Sequence, residues 1–251
     1  MVHDLGKMLR ENALCIGAWQ STPSPLIAEA MASCGFHWLA VDMEHGTMSA
    51  SEAENIFRAV ERHGVAPVVR LPSADPYLAR QLLDAGAQGL IVPVSESAEA
   101  FAEFARHCLY PPAGRRGVGL SRCNLWGDDF ENYLKTFTPV LIPQIETRKG
   151  VAAAAEMAAL DCVAALFMGP YDLSADLGSP GDFETPEFSK ALGQVKQACT
   201  ETGKALGFHQ VDPDLAALRQ KIDEGYRLLA FGTEILAMRQ AFAGVKGLAD
   251  G

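Results

Sequence analysis

Eight short apolar runs recur along the chain, each followed by a longer segment of helical character. The runs are Cys15–Trp19, Trp38–Asp42, Ala66–Arg70, Gly89–Val92, Val140–Glu146, Ala164–Met168, Ala205–Phe208 and Leu228–Phe231. None alternates cleanly between apolar and polar residues, which is the pattern of strands buried on both faces. Helices are expected at Pro25–Cys34, Ala50–His63, Pro76–Asp84, Ala98–Arg106, Lys149–Leu160, Glu187–Thr202, Pro213–Glu224 and Glu234–Gly247. Their starts carry capping signals: Ser24, Ser49 with Glu52 three residues on, and Asp75 ahead of Pro76. Gly35, Gly64, Gly86, Gly203 and Gly225 supply stop signals. Strands alternating with helices in this way predict an α/β fold, a (β/α)8 TIM barrel, and 251 residues are the usual length of one such domain.

No composition shift marks a boundary, so residues 1–251 read as a single barrel domain. Met1–Asn12 is charged and reads as a short helix, with neither a signal-peptide core nor a membrane-length run behind it. A cytoplasmic location is the expectation. Six cysteines are scattered singly without a Cys-x-x-Cys pair, which argues against a zinc ribbon and against a disulfide framework. The net charge of −10, with no Lys/Arg cluster, argues against nucleic acid or an anionic membrane as partner. Any positive charge that holds an anionic substrate must therefore be local. The one long break, Tyr110–Phe137, contains Pro111, Pro112, Gly114, Gly117 and Gly119 before a helix expected at Asp128–Phe137. Such a connection is usually a functional loop or an interaction element. Arg115 and Arg116 within it could cradle a phosphate, but the spacing and terminal lysine of a P-loop are missing.

A parallel barrel builds its active site at the C-terminal ends of its strands. The second run ends at Asp42 and continues Met43-Glu44-His45, the third ends at Arg70, the fifth ends Gln144-Ile145-Glu146, and the sixth continues Gly169-Pro-Tyr-Asp-Leu-Ser174. Glu146 and Asp172 at neighbouring strand ends, with no Cys or His beside them, suit a hard divalent ion such as Mg2+ or Mn2+. The alternative is that both cap helices or pair with basic residues. Arg70 can hold a carboxylate or a developing enolate oxygen, or else form a rim salt bridge. His45 is a candidate acid/base that Asp84 could orient; the plain readings are a solvated loop histidine and a surface acid at a helix end. The turn Gly169, Pro170 to Ser174 can offer backbone N–H groups to a substrate carboxylate. No lysine sits at a strand end: Lys149 lies past the fifth and Lys204 precedes the seventh, which weakens a Schiff-base aldolase.

Six blocks, Phe36–Gly46, Pro67–Arg70, Gln81–Gly86, Tyr110–Gly119, Gln144–Glu146 and Gly169–Ser174, resemble the HpcH/HpaI aldolase family in order and across nearly the whole chain. The resemblance implies a (β/α)8 barrel and a class II, divalent-metal aldolase (Mg2+ or Mn2+, with Co2+ as a further candidate) acting on a small 2-oxo acid and an aldehyde. On the matching positions Glu146 and Asp172 look like the metal ligands, Arg70 like the group that stabilises a pyruvate-type enolate, His45 with Asp84 like a proton-transfer dyad, and Gln144 like a substrate contact. The resemblance also implies a homo-oligomer, a hexamer whose last helix, with Ile235, Leu236, Met238 and Phe242, packs on a neighbouring subunit. Two segments depart from the family pattern, Phe231-Gly-Thr-Glu234-Ile235 and Gly207-Phe208-His209-Gln210. Both bear on which aldehyde is accepted. The competing readings are a citramalyl- or malyl-CoA-type lyase, a phosphoenolpyruvate-type carboxylase or mutase barrel, and a non-catalytic barrel that binds a 2-oxo acid.

Overall fold

The computed structural model describes residues 2–245 and residue 248. Eight parallel strands close into a barrel in sequence order: β1 (Cys15–Gln20), β2 (Trp38–Asp42), β3 (Ala66–Arg70), β4 (Gly89–Val92), β5 (Val140–Ile145), β6 (Ala165–Met168), β7 (Ala205–Gln210) and β8 (Leu228–Phe231), with β8 pairing back to β1. The helices are α1 (Leu5–Arg10), α2 (Pro25–Ala32), α3 (Ala50–Glu61), α4 (Pro76–Asp84), α5 (Ala98–Cys108), α6 (Phe130–Thr136), α7 (Arg148–Ala158), α8 (Pro170–Asp176), α9 (Pro186–Thr202), α10 (Leu215–Asp223) and α11 (Glu234–Phe242).

Two cores result from strands buried on both faces. Inside the barrel, Trp19, Trp38, Ala40, Val68, Ile142 and Phe167 pack together, and Leu5 and Leu9 of α1 join the same cluster, so α1 plugs the end where the strands begin. Small residues make room for large ones. A Cβ on Gly17 would overlap the Trp38 ring, and one on Gly207 would overlap Phe167. The second core, with Leu39, Val41, Ile56, Phe57, Leu82 and Leu90 among its members, lies between the strands and the outer helices. The capping box at Ser49 and Glu52 forms as the sequence predicts, and Asp75 accepts from the backbone of Tyr77 and Leu78 at the start of α4.

The structure departs from the sequence reading in a few places. β7 runs two residues further, to Gln210, because His209 and Gln210 continue the pairing with Ala230 and Phe231 of β8. Gly169–Ser174, read as an open turn, instead starts α8, with Pro170 in its first turn. The long connection contains a short 3-10 segment, Arg122–Gly127, ahead of α6. Gly247, the expected end of the last helix, and Met1, the expected start of the first, lie outside the described residues. No helix among the described residues is long and apolar enough to cross a membrane.

Candidate active site

Side chains alternate along a strand, so residues two apart face the same side. With Trp38 and Ala40 inside the barrel, Asp42 also points inward; with Ala66 and Val68, so does Arg70; with Val140 and Ile142, so does Gln144. These inward series run up to a mouth at the C-terminal ends of the strands. There they border a cavity of about 290 Å³ that also touches Trp19, His45, Asp172 and His209. That is the small end of the ligand-site range, room for a small molecule.

The best-held group in the mouth is Asp42. Arg70 donates from Nε to Oδ1 at 3.0 Å and from Nη2 to Oδ2 at 2.5 Å. The Trp19 indole N–H donates to Oδ2 at 3.2 Å, and the backbone N–H groups of Glu44 and His45 donate to Oδ1. Burial pushes the Asp42 pKa up, but the hydrogen bonds and charge of Arg70, with the His45 N–H and Trp19, outweigh it and hold the carboxyl below its ordinary value. The register pairing Asp42 with Arg70 sets up this two-point contact. The third Arg70 nitrogen, Nη1, lies 3.0 Å from Glu44 Oε2.

Across the mouth, Glu146 follows β5. Its Oε1 accepts from the Val94 N–H at 2.5 Å, and the Gln144 amide donates to Oε2. Gly169 leaves room for this carboxylate: a Cβ there would lie 2.6 Å from Oε2. Asp172 stands in the first turn of α8. Burial raises the Glu146 pKa, and repulsion from Glu44 and Asp172 raises it further, against the Val94 and Gln144 hydrogen bonds. Glu44 is raised too, first by burial and then by Asp42 and Asp172, against the charges of Arg70 and His45. Gln144 Oε1 is buried without a hydrogen-bond partner. Repelling carboxylates beside an orphaned amide oxygen are the donor chemistry a hard divalent cation relieves. Among the described residues no group of three His, Cys, Asp or Glu converges at metal-ligand spacing.

The remaining sequence candidates divide. Gln144, Gly169 and Pro170 line the cavity with Arg70, Asp172 and His45. Ser174 does not: it is buried, donates to Tyr171 O at 2.7 Å and accepts from the Gly181 N–H at 2.8 Å, so it ties the loop after α8 and is a correction to the expected substrate contact. Asp84 is also corrected within one chain. α4 runs back from the mouth, so its last residue sits at the opposite end of the barrel, where Arg116 donates to it at 2.6 Å. His45 stays at the mouth with Nε2 4.0 Å from Glu44. Neither Arg115 nor Arg116 is free for a phosphate: Arg115 pairs with Glu103, and the buried Arg116 lies over the Tyr110 ring. Lys149, at the start of α7 on the mouth side, is exposed, reaches Glu96 and does not line the cavity, and Lys204 donates to Val163 O at the opposite end of the strands. A larger cleft of about 650 Å³ opens at the α1 end. It lies away from the strand ends that carry these carboxylates, and its Arg122 is taken by Glu61.

The profile of the HpcH/HpaI aldolase/citrate lyase family matches residues 16–241. The chain belongs to this family. It is 39% identical over 237 residues to a hydroxypyruvate/pyruvate aldolase of Delftia acidovorans, covering 93% of this chain and 87% of that one. It is 37% identical to a 4-hydroxy-2-oxo-heptane-1,7-dioate aldolase of Klebsiella pneumoniae, covering 89% and 88%. Among solved structures, an HpcH/HpaI aldolase/citrate lyase family protein from Burkholderia cenocepacia superposes with a TM-score of 0.91 at 33% identity, covering all of both chains. The protein is an aldolase of the HpcH/HpaI family on a closed (β/α)8 barrel.

In this aldolase several mouth residues were not singled out from sequence for a site role. Asp42 and Trp19 hold Arg70 in place, and both could have been found from the inward parity of their strands. Glu234 carries no such signal. Its buried Oε1 accepts from the backbone N–H groups of Ser21 and Thr22, at 2.8 and 2.7 Å, and so fixes the loop after β1 from 212 residues away along the chain.

Proposed function

We propose that this HpcH/HpaI aldolase reversibly adds the enolate of pyruvate or hydroxypyruvate to an aldehyde, giving a 4-hydroxy-2-oxo acid, with a divalent metal held by Glu146 and Asp172. The observation that carries this reading is the meeting of a clamped Arg70 and the Asp172 carboxylate in one small cavity, next to the buried Glu146, whose oxygens are bonded only by the neutral donors of Val94 and Gln144. The names of the Delftia and Klebsiella relatives agree with this substrate class. Class II aldolases of this family generally depend on a divalent metal. When bound, Mg2+ or Mn2+, with Co2+ as a further candidate, supplies Lewis-acid stabilisation of enolate charge.

The chain's own residues do the rest. Asp42 uses two Arg70 nitrogens and leaves Nη1 to Glu44 or to a substrate oxygen, where a fixed guanidinium favours developing negative charge. Val94 and Gln144 fix both Glu146 oxygens. His45 Nε2 is available at the cavity wall to take or return a proton. We further assign residues 1–251 to one barrel domain acting in the cytoplasm as a homo-oligomer, a hexamer. Support comes from α11, whose Met238 and Phe242 are 52% and 66% exposed on a single chain.

The test is proton NMR of pyruvate in D₂O with metal-stripped protein, before and after Mn2+ or Mg2+ is added. Metal-dependent loss of the methyl signal is expected, and Asp172→Asn should abolish it. No exchange with either ion, or full metal-independent activity in Asp172→Asn, overturns the assignment.

A further inference from the structure

His209 is the mouth residue with the most unusual setting. It faces the cavity because Ala205, Gly207 and His209 share the inward face of β7. Its ring lies 4.4 Å from that of Trp19 with an interplanar angle of 25°, so stacking fixes its plane, and Trp19 is itself held by Asp42. Nε2 lies 3.2 Å from Gly232 O. A carbonyl oxygen can only accept, so Nε2 carries the proton, and in the neutral ring Nδ1 is then a bare acceptor. Burial, helped by the charge of Arg70, pushes the ring's pKa down to about 4 against the pull of Gly232 O and Asp42, so the ring is neutral at physiological pH. Among the described residues Nδ1 has no hydrogen-bond partner, and it belongs to a side chain that lines the cavity.

A neutral acceptor beside Asp42 repels carboxylates and takes a donor. We propose that His209 is a specificity-determining residue whose Nδ1 accepts a hydrogen bond from a substrate hydroxyl, so that hydroxylated substrates are favoured over their deoxy counterparts. The inference rests on the aldolase reading above. The hydroxyl has two possible sources, C3 of the 2-oxo acid or the aldehyde, and both present the same chemistry to Nδ1.

The experiment compares kcat/KM in two arms: hydroxypyruvate against pyruvate with one aldehyde, and glycolaldehyde against acetaldehyde with pyruvate. The proteins are wild type, His209→Phe, His209→Leu and His209→Asn. Phe keeps a ring on Trp19 without the acceptor, Leu removes both, and Asn returns an acceptor near the position of Nδ1. In one arm, Phe and Leu should lower the hydroxylated-to-deoxy ratio about tenfold, the worth of one ordinary hydrogen bond, and Asn should recover most of it. The arm that responds identifies the source of the hydroxyl. Ratios within twofold of wild type in both arms overturn the proposal, as does an equal loss in Phe, Leu and Asn, which would trace the effect to packing. Should Leu fail to fold, the Phe and Asn pair decides alone. Pyruvate proton exchange is followed in wild type in parallel. Exchange with unchanged ratios removes only the role of His209, whereas no exchange removes the aldolase reading and this inference with it.

Discussion

At the scale of single residues, Asp42 shows how a strand-end acid becomes an organising group. It is buried with Arg70, and between them the two use most of their hydrogen-bonding capacity on each other and on Trp19. Removing one member of such a pair strands the other charge in a dry site. Asp42→Ala is expected to lower unfolding free energy by about 3–5 kcal/mol, read by urea denaturation. His209 gives a second prediction, with a sign. Its folded pKa of about 4 lies below the reference value of 6.5, so between those limits the unfolded chain binds a proton that the folded ring refuses. Stability therefore falls as pH is lowered from 6.5 to 4, and His209→Leu should flatten this part of a Tm-against-pH curve. Glu44 and Glu146 bias the curve the opposite way, because their folded pKa values are raised, but both remain in the variant. The difference between the two curves isolates His209. An unchanged slope would mean that the ring titrates normally.

At the scale of elements, most of the barrel was readable because burial on both faces writes apolar runs into every strand. β2, β3, β4 and β8 begin and end where the runs do. The inward parity that brings Asp42, Arg70, Gln144 and Glu146 to one mouth is readable by the same rule. What escaped was long-range or backbone geometry. The Asp42–Arg70 contact depends on interstrand register, and the Glu234 contact on Ser21 and Thr22 joins opposite ends of the chain. Val94 is the sharpest case. A β-branched residue is a poor candidate for positive φ, yet Val94 has φ +49°, and that turn aims its N–H at Glu146. Val94→Pro cannot reach this φ and has no N–H to give. Loss of such a supporting contact should weaken Mn2+ binding by about 10–100-fold in calorimetric titration. Val94→Gly keeps both the N–H and the backbone angle and should bind as wild type does. Equal affinities in wild type, Gly and Pro would show that Glu146 needs no support from this loop.

At the scale of the whole molecule, the barrel separates two residues that the family resemblance joins. His45 follows β2 at the mouth, while Asp84 ends α4 at the far end, where Arg116 holds it. No rearrangement short of unfolding the βα unit brings them together in one chain. A His45–Asp84 dyad can therefore act only between chains, with the mouth of one subunit set against the α4 end of another. The exposed Met238 and Phe242 of α11 give the chain apolar surface that assembly would cover. Light scattering should then report a hexamer, and His45→Ala and Asp84→Ala should each be inactive alone. Refolded together, they should recover about a quarter of wild-type activity, because random assembly gives that share of interfaces both intact residues. A monomer by light scattering, or Asp84→Ala active by itself, would leave Asp84 as the partner of Arg116 and nothing more.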